Sequence, residues 1–155
     1  MRLIDRALLD EVSREAVASP RRRKNRNFHP ADDYPAHRLL NAIEPGSYIR
    51  PHRHLDVSKD ETMAVLRGRL ALVTFDDDGG IVGGAVLGHG GEAVGVDIAH
   101  GTWHTVFALE PATVFLEAKA GPYRALLAEE AAAWAPAEGT PEAGAYLAQL
   151  LRLFG

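Results

Sequence analysis

Gly46-Ser47-Tyr48-Ile49-Arg50-Pro51-His52-Arg53-His54, followed by Glu61 and Gly68 and later by Gly101-Thr102-Trp103-His104, is the part of the sequence that decides the fold. His52 and His54 are two apart. In a strand, side chains at i and i+2 leave the same face, so two imidazoles on one strand reach one point. Glu61 opens the next β-like run, Glu61-Thr62-Met63-Ala64-Val65-Leu66, and His104 lies in a later one, Trp103-His104-Thr105-Val106-Phe107-Ala108-Leu109. Three imidazole nitrogens and one carboxylate oxygen suit a borderline divalent metal, Zn, Fe, Ni or Mn, and leave coordination positions open. A lone histidine in an apolar strand is ordinarily a hydrogen-bonded core or surface residue. The combination of His-x-His, Glu61 and Gly101-x-x-His104 is what points to a metal. His100, beside Gly101, reads as a neighbour of the site rather than a ligand.

The spacing carries more information than the residue types. Gly46 is followed by five residues, His52-x-His54, Glu61, six residues and Gly68. This resembles the two-part motif of the cupin family, in which the second part contains Pro-x-Gly-x-x-His. Three positions depart from it: the gap from Leu55 to Asp60 is longer than usual, Ala99 stands where the motif has Pro, and Ala108 where it often has Asn. Asp56 and Asp60, inside the longer gap, are alternative carboxylates to Glu61. Arg23-Lys24-Asn25, Asn27-Phe28-His29, Arg38-Leu39-Leu40-Asn41-Ala42, Tyr48 to His54, Trp103-His104-Thr105-Val106 and Lys119-Ala120-Gly121-Pro122-Tyr123 make the chain similar to the small WbuC-type cupin metalloproteins. The resemblance implies a mainly β fold, the double-stranded β-helix or jelly-roll barrel, with a metal in its mouth. Genes of that group occur in some O-antigen sugar clusters, which implies no settled reaction.

The chain has 155 residues, a length for one domain able to bury a core. The expected organisation is an N-terminal helix over 1–20, a barrel over 36–120 and a helical segment over 123–155. Apolar residues make up 46% and charged residues 25%, as in soluble globular proteins. A net charge of −4 argues against nucleic acid as a partner. Cysteine is absent, which excludes disulfides and thiolate ligation. Charges in Met1 to Arg6 leave no room for a signal peptide's apolar run, no stretch is apolar enough to span a bilayer, and a cytoplasmic location is the default.

Asp5 is a plausible N-cap for a helix carrying Leu8, Leu9, Val12, Ala16 and Val17, which ends at Ser19-Pro20. Arg21-Arg22-Arg23-Lys24-Asn25-Arg26 is a solvated run, a nucleic-acid arm or an anion clamp, the last because guanidinium forks match phosphate and carboxylate; Arg23, Lys24, Arg26 and His29 are then the substrate-binding candidates. Strict alternation puts Tyr48 and Arg50 on the face of His52 and His54, which makes them candidate catalytic contacts. Arg50, if buried, needs an anionic or polar partner.

Asp76-Asp77-Asp78-Gly79-Gly80 is a hairpin turn, and Gly88-His89-Gly90-Gly91 another. The phase of Thr113 to Lys119 is ambiguous. Val114, Leu116 and Ala118 form one face and Phe115, Glu117 and Lys119 the other, so Glu117 and Lys119 point either to solvent or into the cavity as an acid/base pair. Leu126 to Trp134 reads as helical. Thr140-Pro141-Glu142 starts a helix whose stripe Leu147, Leu150, Leu151 and Phe154 packs outside the barrel or, alternatively, in a dimer contact. The expected partners are a small anionic molecule or carbohydrate and a second copy of the chain, with no nucleic acid and no membrane. The functional expectation is a metal-dependent enzyme acting on a sugar, sugar nucleotide or other anionic metabolite, as an isomerase or epimerase, or as a dioxygenase if the metal is iron. A non-catalytic ligand-binding or sensing protein is the alternative.

Overall fold

Period-two patterning sets the layers. The computed structural model describes residues 1–89 and 93–155. Helix α1 (Arg6–Ala18) is followed by β1 (Arg23–Asn27), β2 (Ala36–Ile43), β3 (Glu61–Arg67), β4 (Arg69–Phe75), β5 (Ile81–Gly88), β6 (Gly95–Ile98), β7 (Trp103–Ala108), β8 (Thr113–Ala120) and α2 (Pro141–Leu151), with short 3₁₀ turns at Ala128–Glu130 and Arg152–Phe154. Two antiparallel sheets result, one in the order β1-β2-β8-β3-β6 and one in the order β5-β4-β7. This is the mainly β jelly-roll architecture expected.

Alternate residues of β7 show how one strand serves two layers. Val106 and Ala108 face inward, joining Ile43, Met63, Val65, Leu70, Leu72 and Phe115 between the sheets. Trp103 and Phe107 face outward, against Leu147 and Leu150 of α2. A third cluster lies outside the larger sheet, where Leu9, Val12 and Ala16 of α1 cover Leu40, Ala42 and Val114. Asp5 caps α1 by accepting from the Leu8 N–H at 3.0 Å, and Val17 is exposed rather than part of the apolar face. Gly68 makes the β3–β4 turn at φ +75°, where a Cβ would lie 2.9 Å from the Thr113 Cα, so only glycine fits.

Three expectations about elements are corrected. Residues 21–26 are not simply a solvated run: Arg23 to Asn27 form edge strand β1 beside β2. The run through Tyr48 to His54 is not a continuous strand. Only His52 forms a β-bridge there, to His104 on one side and Ala131 on the other, because Pro51 offers no N–H to a ladder. Finally, Leu126 to Trp134 is not a helix beyond its one 3₁₀ turn. The Ala132 N–H goes instead to the Pro51 carbonyl at 3.0 Å, and the Glu130 side chain takes the N–H groups of Leu127 and Leu55. Cross-chain bonding overrides the local helix preference of the Ala- and Glu-rich run.

The Asp76 turn is closed by its own carboxylate, which accepts from the N–H groups of Asp78 and Gly80. His89 is exposed, while Gly90 and Gly91 of the expected second turn lie outside the described residues. Among the described residues, no helix is long and apolar enough to cross a membrane.

Candidate metal centre

Glu61 starts β3, and its register against Lys119 of β8 puts both side chains on the inner face. His104 sits on β7 opposite His52, and the two exchange backbone hydrogen bonds of 3.0 and 2.9 Å. His54 is tied down by its carbonyl, which accepts from the Gly101 N–H at 2.7 Å. One ligand atom from each of His52, His54 and Glu61 lies within 4.8 Å of the others. His104 enters through Glu61, its Nε2 standing 3.1 Å from Glu61 Oε2, while His54 Nε2 stands 3.2 Å from Glu61 Oε1. The imidazole rings of His52 and His104 are 4.6 Å apart and those of His54 and His104 6.4 Å, the widest pair.

The orientation of the rings is fixed from behind. His104 Nδ1 donates to the Thr102 carbonyl at 2.9 Å and His52 Nδ1 to the Arg50 carbonyl at 3.1 Å. A carbonyl only accepts, so each Nδ1 carries a proton, and each ring turns its Nε2 toward the centre. Burial, with His104 nearby, pushes the His52 imidazole down to about 3, which keeps it neutral. His54 Nε2, His104 Nε2 and Glu61 Oε2 are buried without a hydrogen-bond partner. Orphaned donor atoms of ligand type, converging on one point, fit a cation.

Charge leads to the same conclusion. Glu61 is 2% exposed. Burial opposes its ionisation, but the close contacts with His104 and His54 and the Lys119 charge outweigh it and hold the carboxyl far below the usual range. Lys119 Nζ lies 2.7 Å from Glu61 and 2.8 Å from Glu117. Burial works against its charge, yet the two carboxylates raise it above the ordinary lysine value. Glu117 also accepts from Asn41 Nδ2 at 2.7 Å. One lysine between two carboxylates leaves a net negative charge beside the imidazoles, an environment that a divalent cation completes. The ambiguous phase of β8 is thereby resolved: Glu117 and Lys119 line a cavity of about 170 Å³ together with His52, His104 and Glu61.

Other candidates fall elsewhere. Tyr48 and Arg50 do not share the histidine face. Tyr48 is packed with Trp103, Ala132 and Leu147, donates to the Pro136 carbonyl at 2.9 Å, and is pushed up to about 12 by burial. Arg50 donates to the Ala132 carbonyl. Ile49, not Tyr48, lines the cavity with His52, because the break in the strand at Pro51 shifts the alternation.

The basic run is largely occupied by carboxylates of the chain itself. Arg21 and Arg23 bond Glu138, and Arg26 bonds Glu11 and Glu15 of α1. Lys24 is exposed, and Arg23 reaches the cavity rim. His29 stacks on His37 at 3.9 Å and borders a second polar pocket shared with Glu117 and Lys119. Asp56 is spent on a turn with Ser58, and Asp60 on His100, so neither replaces Glu61.

Sequence reasoning passed over His37, Lys59, Arg124 and Glu130. Lys59 and Arg124 had only a position near the motif and in the Gly-Pro-Tyr-Arg run to signal them. Glu130 had no signal, since its role is to hold Leu55 across 75 residues of sequence.

Among solved structures, KdgF from Halomonas sp. is similar at 19% identity, over 68% of this chain and 84% of that one, with a TM-score of 0.52. A mutant of Bacillus subtilis oxalate decarboxylase OxdC is 20% identical over 59% of this chain and 22% of its own, with a TM-score of 0.47. A formate complex of Lactobacillus farciminis oxalate decarboxylase is 18% identical over 65% of this chain and 29% of its own, with a TM-score of 0.49. The likeness to KdgF, with the two antiparallel sheets, establishes the cupin fold. No curated protein sequence matches the chain. A family model described as a domain of unknown function, DUF6016, matches residues 4–87, more than half of the sequence, and the chain belongs to that family.

Proposed function

We propose that the protein holds one divalent transition metal through His52, His54, Glu61 and His104 and carries out metal-dependent chemistry on a small anionic molecule or carbohydrate. The observation that carries this reading is the convergence of three buried, unpartnered ligand atoms, His54 Nε2, His104 Nε2 and Glu61 Oε2, beside a neutral His52. A metal there supplies Lewis-acid polarisation of a ligand oxygen.

The chain's own residues supply the rest. Lys119, kept charged between two carboxylates, is a fixed cation next to the centre that steadies an anionic oxygen of the ligand, while Glu117, held by Asn41, is the proton acceptor beside it. The paired arrangement of Lys119 and Glu117 favours an enzyme over a passive binding protein. The apolar wall of Ile49, Val106 and Phe115 excludes water from that end of the cavity. The resemblance of the sequence to WbuC-type cupins supports a sugar or sugar nucleotide as substrate, with isomerisation or epimerisation as the reaction class.

Metal analysis of protein purified without added metal tests the reading. About one equivalent is expected in the wild type and little in His52→Ala or His104→Ala. A mutant that keeps its full metal content removes that residue from the ligand set. Turnover of anionic sugars and sugar nucleotides by the wild type, lost in Lys119→Met with metal retained, distinguishes an enzyme from a binding protein.

A further inference from the structure

Beside the proposed metal centre, sharing His52 and His54 with it, lies a second recess of about 220 Å³. Its wall is formed by His54, Lys59, Lys119, Tyr123, Arg124 and His37, among others, and no Asp or Glu lines it. The deeper cavity, by contrast, contains Glu61 and Glu117. Lys119 is already paired with Glu61 and Glu117, so Lys59 and Arg124 are the two cations that give the recess its positive character within a chain of net charge −4.

Lys59 is the informative member. It is 8% exposed, yet it has no carboxylate partner among the described residues. Its Nζ donates to the carbonyls of Ala120 and Pro122, both at 2.6 Å. An ammonium has three donors, so one N–H remains. Two neutral carbonyls hold the group in place without neutralising it, and a charge buried in this way is ordinarily paired. Arg124 is exposed and makes no ion pair among the described residues. Asp56 is an anion near both cations but forms an ion pair with neither, its carboxylate being held by the N–H and hydroxyl of Ser58.

We propose that Lys59 and Arg124 form an anion seat that grips the carboxylate or phosphate group of the ligand and aims its other end at the metal centre. The seat deepens, and rests on, the reading of the cavity as a small-molecule site. A guanidinium fork and a fixed ammonium across one recess match an oxyanion with two or more free oxygens. The recess is smaller than pockets that take drug-sized ligands, roughly 300 Å³ and upward, so it accommodates one anionic group and a few carbons. His54, shared between the recess and the ligand set, places the far end of such a molecule at the metal.

Inorganic phosphate and malonate, titrated calorimetrically into the full chain with glycerol as the neutral control, test the seat. Saturable binding of at least one anion is expected, with none for glycerol. Arg124→Gln, a surface change, is expected to weaken it about tenfold or more, the worth of one charge-assisted hydrogen bond, while metal content stays at the wild-type level. Lys59→Gln is expected to act likewise, and if it fails to fold, Arg124→Gln decides alone. The stronger anion identifies the headgroup. Unchanged affinity in Arg124→Gln, or no saturable binding of either anion to metal-loaded protein, overturns the seat. Anion binding that is lost in Arg124→Gln by a protein that binds no metal leaves the seat standing and removes the metal reading.

Discussion

Lys119 is the residue on which the electrostatics of the site turn. It bridges Glu61 and Glu117, whose like charges would otherwise repel, at 2.7 and 2.8 Å. Lys119→Met leaves two buried carboxylates without their cation, which costs roughly 3–5 kcal/mol when one partner of a buried pair is removed. A divalent ion on Glu61 compensates part of that loss. Urea unfolding is therefore expected to show a larger destabilisation with a chelator present than with metal present. Equal losses in the two conditions would place Glu61 outside the metal's ligand set.

Glu138 offers a pH test away from the site. Burial alone would raise its pKa, but hydrogen bonds from Arg21 and Arg23 outweigh this and hold it down at about 2, against an ordinary 4.5. A folded pKa below the unfolded one means that the unfolded chain takes up the proton first. The contribution is then complete above about 4.5 and is lost as pH falls toward 2. Glu138→Gln should flatten the stability profile in that window and leave its shape at neutral pH unchanged, as read from thermal melts across pH.

At the scale of elements, α2 is held by tertiary burial rather than by its cap. Thr140 occupies the N-cap position, yet its hydroxyl bonds back to the Ala137 carbonyl and leaves the helix N–H groups alone. Leu147 and Leu150 are buried against the outer face of the β4–β7 sheet, with Phe154 edge-on to Phe107 at 5.7 Å. Leu147→Ala should cost about 2–5 kcal/mol by loss of transfer energy and creation of a cavity. Val17→Ala, on an exposed face of α1, should cost under about 0.5 kcal/mol. Chemical denaturation of both variants checks the contrast, and a small effect of Leu147→Ala would detach α2 from the stability of the barrel.

For the molecule as a whole, a metal at the proposed centre would couple binding to the fold. The ligands come from β3, β7 and the His52 segment, which the metal would tie together. A ligand present at one hundred times its dissociation constant stabilises the native state by about 2.7 kcal/mol. Chelation should lower the melting temperature of the wild type and leave that of His104→Ala unmoved. Acid should release the metal before it unfolds the protein, since protons compete for the imidazoles. A wild-type melting temperature indifferent to chelator would remove the coupling.

The sequence by itself determined the candidate ligand types, their spacing and the barrel class. His52-x-His54, Glu61 and Gly101-x-x-His104 are local patterns, and local patterns follow from strand alternation and turn geometry. Gly46, Gly68 and Gly101 all take the positive φ their turns require. What only the tertiary structure decided lies where the chain leaves regular alternation or where partners are far apart in sequence. Pro51 broke the period that would have put Tyr48 and Arg50 in the cavity. The phase of β8 was set by α1 covering Val114 and Leu116, which turned Glu117 and Lys119 inward. The basic run from Arg21 met carboxylates on α1 and at Glu138, and Lys59 met the carbonyls of Ala120 and Pro122. Each of these depends on which distant group supplies the charge or the hydrogen bond, a choice made by packing and invisible to any window along the chain.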